Sequence, residues 1–87
     1  MGERALQSLS RVVSNHLDAY FAAHEGMLPS QGLYDRVVRE VEIPLILKTL
    51  KAAHGIQAKA AKILGMHRNT LRIKMQDLDL TFKKQKL

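Results

Sequence analysis

Gln57–Gln76, QAKAAKILGMHRNTLRIKMQ, is the stretch whose reading decides the fold of this 87-residue chain. Two short helical patterns flank Gly65. The first holds Ala60 and Ala61, the second Arg68, Asn69, Thr70 and Arg72. Small Ala60 and Ala61 let one helix cross close over another. Gly65, just past Ile63 and Leu64, can take the left-handed conformation that ends a helix without steric cost, and Met66 can tuck under the corner. Leu71, Met75 and Leu78 recur at i, i+4 and i+7, which gives the second helix an apolar inward face. At about 100° per residue the opposite face carries Asn69, Arg72, Ile73 and Gln76, flanked by Thr70. This is the arrangement of a helix-turn-helix, a motif that sets its second helix in the major groove of DNA.

The charge distribution points the same way. The chain has a net charge of +6. Residues 1–54 hold six basic and six acidic side chains and sum to zero, whereas residues 55–87 hold eight basic and two acidic ones. The whole positive excess therefore lies on the part of the chain that carries the motif. Such an asymmetry implies a polyanion, with phosphate contacts supplying salt-dependent affinity. A solvated basic face alone would not need the helix-turn-helix beside it.

Upstream, Leu6, Leu9, Val13, Leu17 and Tyr20 mark an amphipathic helix over about Glu3–His24 with a coiled-coil-like seam. Val12, Phe21, Ala22 and Ala23 widen its apolar face. The segment EGMLPSQG reads as a loop, with Ser30 a candidate cap for the next helix. That second helix is expected over about Gln31–His54 and is ended by Gly55. Tyr34, Val37, Val38, Val41 and Leu45 form one face, and its second half (Ile43, Leu45, Ile46, Leu47, Leu50) is apolar almost all round and expected to be buried by more than one neighbour. Pro44 lies inside it and cannot donate to the Glu40 carbonyl, so a kink is expected there. A third helix is expected over about Gln57–Leu64 and a fourth over Arg68–Asp77, with Leu78 and Leu80 closing over the core. The fold class is thus all-α with four helices. Residues 1–54 would serve dimerisation, 55–80 form the helix-turn-helix unit, and 81–87 make a basic tail expected to be disordered.

A first helix of about twenty residues is about 30 Å long, too long for the compact helix-turn-helix half to cover. Either a second copy covers its seam, or it folds back on its own second helix. A symmetric homodimer is expected, with a four-helix core built from the first two helices of each copy. It would present two recognition helices to a pseudo-palindromic site.

Other classes find little support. Cysteine is absent, so disulfides and thiolate metal sites are excluded, in keeping with a cytoplasmic setting. No apolar run approaches the ~18–20 residues that span a bilayer, and no membrane partner is expected. His16, His24, His54 and His67 make no metal-ligand pair, and no nucleophile–base pairing stands out. Neither an enzyme nor a cofactor is expected.

The run EVEIPLILKTLKAAHGIQAKAAKILGMHRNTLR resembles the Fis-type DNA-binding domain, which occurs both in the stand-alone DNA-bending protein Fis and at the C-terminus of NtrC-type activators. The resemblance rests on "EVE", Pro44–Leu45, Gly55, Gln57, Ala60–Ala61, Leu64–Gly65 and Arg68–Arg72, and covers roughly residues 33–80. The loop LPSQGLYDRVV is more similar to the NtrC-type domain, whose full-length proteins carry upstream ATPase and receiver domains and act at sigma-54 promoters. No GxxxxGK[ST] phosphate loop occurs in these 87 residues, so this chain alone is expected neither to hydrolyse ATP nor to activate transcription. What the resemblance implies is sequence-specific binding of double-stranded DNA as a homodimer, in a bacterial, nucleoid-associated setting. The alternatives are a stand-alone DNA-bending protein, or an interaction module with a vestigial helix-turn-helix.

Position by position, the resemblance places Arg68, Asn69, Thr70, Arg72 and Lys74 against DNA. Arg68 and Arg72 have the reach for bidentate contact with guanine or for phosphate clamping. Gln57 and Lys59 would meet the backbone at the start of the third helix, where a helix N-terminus also favours phosphate. His67 stands where Asn or Ser is frequent. It would cap the recognition helix through its ring, or contact phosphate when protonated, which would bring pH dependence near neutrality. Ile73 stands where a basic residue is usual. It either meets a thymine methyl or is an exposed apolar substitution that forfeits one cation.

Overall fold

The computed structural model describes residues 2–80; the tail at 81–87 and its expected disorder lie outside the described residues. Five helical segments follow one another: α1 (Gly2–Gln7), α2 (Leu9–Ala22), α3 (Leu33–Ala52), α4 (Gln57–Leu64) and α5 (Arg68–Asp77). Among the described residues there is no strand, and no helix is long and apolar enough to cross a membrane. The first two segments are the one expected helix interrupted at a single residue, so the all-α, four-helix plan holds. The interruption has a local cause. The Ser8 hydroxyl donates to the Ala5 carbonyl (2.9 Å), competing with the backbone ladder for that acceptor. Ser8 keeps a helical backbone, and the Val12 amide still donates to its carbonyl (3.2 Å).

The chain divides into two compact units between Leu33 and Tyr34. In the first, neither α1 nor α2 has a buried residue. Leu6, Leu9, Val13 and Leu17 line one open groove, as their spacing predicts, but Phe21 rather than Tyr20 continues it. The Tyr20 ring instead lies against His24 (centroids 4.6 Å) and edge-on to Phe21 (5.5 Å). His24 Nδ1 donates to the Tyr20 carbonyl (2.8 Å), satisfying an acceptor at the end of α2.

The second unit holds the core. Ile46, Leu50 and Ala53 from α3 and its end, Ala60 and Ala61 from α4, and Leu71, Met75 and Leu78 from α5 and its end are all buried. Ile43, Leu64, Met66 and Leu80 pack against them. Ala60 and Ala61 are almost fully enclosed, which is the close crossing that small side chains permit. The second half of α3 is less enclosed than its composition suggested. Ile46 and Leu50 are buried, but Leu45 is 49% exposed, because the helix-turn-helix covers only one side of α3.

α3 runs unbroken through Pro44. It starts at Leu33, and Gly32, at φ +85°, precedes it; Ser30 is too far upstream to be its cap. Its C-terminus closes at Gly55, with His54 sharing the turn. The Gly55 amide donates to the Leu50 carbonyl (2.8 Å) and the His54 amide to that of Lys51 (3.0 Å), the paired bonds of a Schellman closure. His54, at φ +55°, takes the first left-handed position of the turn, and Gly55, at φ +80°, follows it and closes the helix as expected. α4 ends the same way at Gly65 (φ +78°), where the Met66 amide donates to the Ala61 carbonyl (2.9 Å). α5 does so at Asp79 (φ +58°), with the Leu80 amide on the Met75 carbonyl (2.8 Å). The closures of α4 and α5 each return an apolar residue, Met66 and Leu80, to the core.

Candidate nucleic-acid interface

The closure at Gly65 sets the geometry of the basic end. It leaves only three residues between the end of α4 and the start of α5, so the first turns of both helices lie near each other. Gln57, the first residue of α4, lines one open hollow together with His67, Arg68, Asn69, Thr70 and Arg72 from the start of α5. Six of the nine expected site residues therefore meet around one concavity. It carries two arginines and a histidine and no acidic side chain. Arg68, Asn69, Thr70 and Arg72 are all exposed, while Leu71 on the far side of the helix is fully buried.

The helix starts are open to a ligand. His67 occupies the N-cap of α5 with the extended backbone of that position (φ −73°, ψ 149°), but no side chain caps the helix. The expectation that its ring would cap is therefore not met: the exposed imidazole makes no such bond. Ile56 stands at the N-cap of α4 and has no side-chain donor or acceptor to offer. The first-turn amides of both helices thus lack side-chain acceptors, and helix dipoles favour negative charge there. Arg72 donates through Nη2 to the Asn69 side-chain oxygen one turn earlier. That contact uses one of the five guanidinium N–H donors of this exposed side chain.

Three expected residues lie outside the hollow. Lys59 is exposed on α4 and Ile73 is 44% exposed on α5. Lys74 is in a different situation: its ammonium donates to Glu42 on α3 (2.9 Å), across 32 residues of chain. That hydrogen bond first, then the attraction of the Glu42 charge, raises the Lys74 pKa against the desolvation that lowers it, with a further lift from Asp77. Sequence reasoning did not mark Glu42 as a partner. It stood out only as part of the "EVE" run, and no periodicity links positions on separate helices.

The fold and this surface define a helix-turn-helix unit with an uncapped, cation-rich reading side. Comparison with known proteins extends that class to a family. The Fis family of bacterial regulatory proteins matches residues 37–78, and a Fis-like protein of Neisseria meningitidis serogroup B is 39% identical over 70 residues, 80% of this chain and 87% of that protein. The chain belongs to the Fis family of bacterial regulatory proteins. Over 74 residues it is also 58% identical to the DNA-binding transcriptional regulator NtrC of Azospirillum brasilense and 49% to that of Rhizobium meliloti. Each match takes in 85% of this chain but only 15% of the NtrC protein. No solved structure matches the chain.

Proposed function

We propose that the chain binds double-stranded DNA sequence-specifically, as the DNA-addressing domain of an NtrC-type transcriptional activator. The observation that carries this reading is the hollow at the paired helix starts, where Gln57, His67, Arg68, Asn69, Thr70 and Arg72 converge without an acidic neighbour. Arg68 and Arg72 supply guanine or phosphate contacts, Asn69 and Thr70 phosphate or base-edge contacts, and the open first-turn amides position the backbone. Lys59 extends the basic footprint along α4, and Ile73 offers an apolar contact beside Arg72. The reaction class is binding, with no catalysis and no cofactor.

The functional form is a symmetric homodimer. The α1–α2 groove is open and mainly apolar, with Ser10, Ser14 and Asp18 among its lining, and Tyr34, Val38, Val41 and Leu45 form a stripe at helical spacing on α3, with Tyr34 and Leu45 exposed. A second copy covering these surfaces makes residues 1–54 the pairing region and residues 55–80 the reading unit. In the full-length activator, upstream ATPase and receiver domains of a two-component system would act on sigma-54 polymerase in the bacterial cytoplasm. The identity to NtrC supports this assignment. A second reading, a stand-alone Fis-like DNA-bending protein, is favoured by the 87% coverage of the Neisseria protein.

Titration of a labelled duplex at two or more salt concentrations tests the DNA reading. Affinity is expected to fall steeply with salt, by about 0.9 in log K per log unit of salt for each phosphate neutralised. Salt-independent affinity, or none, would overturn it.

A further inference from the structure

We infer that Glu42 withholds Lys74 from the DNA backbone, so that Glu42 is a positioning residue that limits phosphate binding by the recognition helix. The inference rests on the DNA reading above and assigns a role to a residue outside the reading surface.

Three observations carry it. Taking Asn69 as the centre of the reading face, Lys74 lies about 140° around α5, toward the buried side. Its ammonium reaches Glu42 at 2.9 Å rather than the hollow lined by Arg68 and Arg72. The surroundings of the pair are also electrically balanced. Arg36, Arg39 and Lys74 share a concavity with Asp35, Glu42 and Asp77, three charges of each sign, whereas the reading hollow has cations and no anion. A phosphate is attracted to the second surface and not to the first.

The lysine stem is nonetheless long, and its side chain remains 38% exposed. Without the Glu42 carboxylate the ammonium is free to swing toward a bound duplex, because four rotatable bonds separate it from the helix. Glu42 therefore sets how many phosphates α5 neutralises. Fewer non-specific phosphate contacts leave a larger share of the binding free energy to base contacts, which favours discrimination between sequences.

The test uses the chain and a fluorescently labelled 30-base-pair duplex of mixed sequence, titrated from 50 to 200 mM KCl. Wild type and Lys74→Gln are expected to have the same slope of log K against log salt. Glu42→Gln is expected to steepen it by about 0.9, one extra phosphate. The double variant Glu42→Gln/Lys74→Gln is expected to return to the wild-type slope. Helicity by far-UV circular dichroism confirms that each variant is folded. Lys74→Gln lowering the slope on its own would overturn the inference, since Lys74 would then touch phosphate despite Glu42. A steeper slope that persists in the double variant would also overturn it, because loss of the carboxylate alone would be the cause. A wild-type chain without salt-dependent affinity would overturn the DNA reading itself.

Discussion

Arg72, proposed above to contact DNA, is already held in place in the free chain. Its guanidinium is held by Asn69 in the free chain, so part of its rotamer freedom is already spent before DNA arrives, and preorganisation of this kind reduces the cost of binding. Arg72→Ala is expected to weaken binding to the native site by about 1–3 kcal/mol and to relax preference at one base position; anisotropy titrations against single-base variants of the site check this. Equal loss on every duplex would make Arg72 a phosphate contact instead. Leu71, immediately before it, faces the other way and is fully buried. Leu71→Ala is expected to cost about 2–5 kcal/mol of stability in urea denaturation. The exposure of Arg72 and the burial of Leu71 were legible in the sequence, because helical spacing separates an apolar face from a polar one. Lys74 was not: on a helical wheel it is one more cation near the reading helix, and only its distance to Glu42 tells it apart.

At the scale of elements, the helix ends decide how α3, α4 and α5 are joined. Gly65 announced its closure through residue type, and the boundaries of α4 and α5 fall where the pattern put them. His54 and Asp79, also at positive φ, did not, since residue type marks that conformation far less sharply in histidine or aspartate than in glycine. His54→Gly is expected to raise stability by up to about 1 kcal/mol, because glycine meets no Cβ penalty in that conformation. A higher urea midpoint checks it. The interruption at Ser8 was equally hidden, since it turns on where one hydroxyl points. The Lys74–Glu42 pair joins two elements and makes a pH prediction. A raised lysine pKa contributes stability fully below the unfolded-state value and loses it as pH climbs through the folded-state value. With Lys74 more than a third exposed, screening keeps the contribution under about 1 kcal/mol. The stability gap between wild type and Lys74→Met is therefore expected to be small near neutral pH and to close under alkaline conditions, as followed by urea denaturation across that range.

At the scale of the whole molecule, the described chain has a buried core only in its second unit, while α1 and α2 bury nothing. The sequence already implied this imbalance, because a long amphipathic helix has more apolar face than a short helix-turn-helix can cover. In the proposed homodimer, pairing of two copies would resolve it and set two recognition helices at a fixed separation. Replacing Leu9 and Val13 with Glu, in the α1–α2 groove, is expected to yield a monomer by light scattering and to weaken DNA binding. The central claim, that two paired helix-turn-helix units read one DNA site, is tested most directly by hydroxyl-radical footprinting on the native promoter region. Two symmetric protected tracts are predicted, with centres one helical turn of DNA apart (about 10 base pairs) or a multiple of it. A single asymmetric tract, or uniform cleavage at saturating protein, would contradict it.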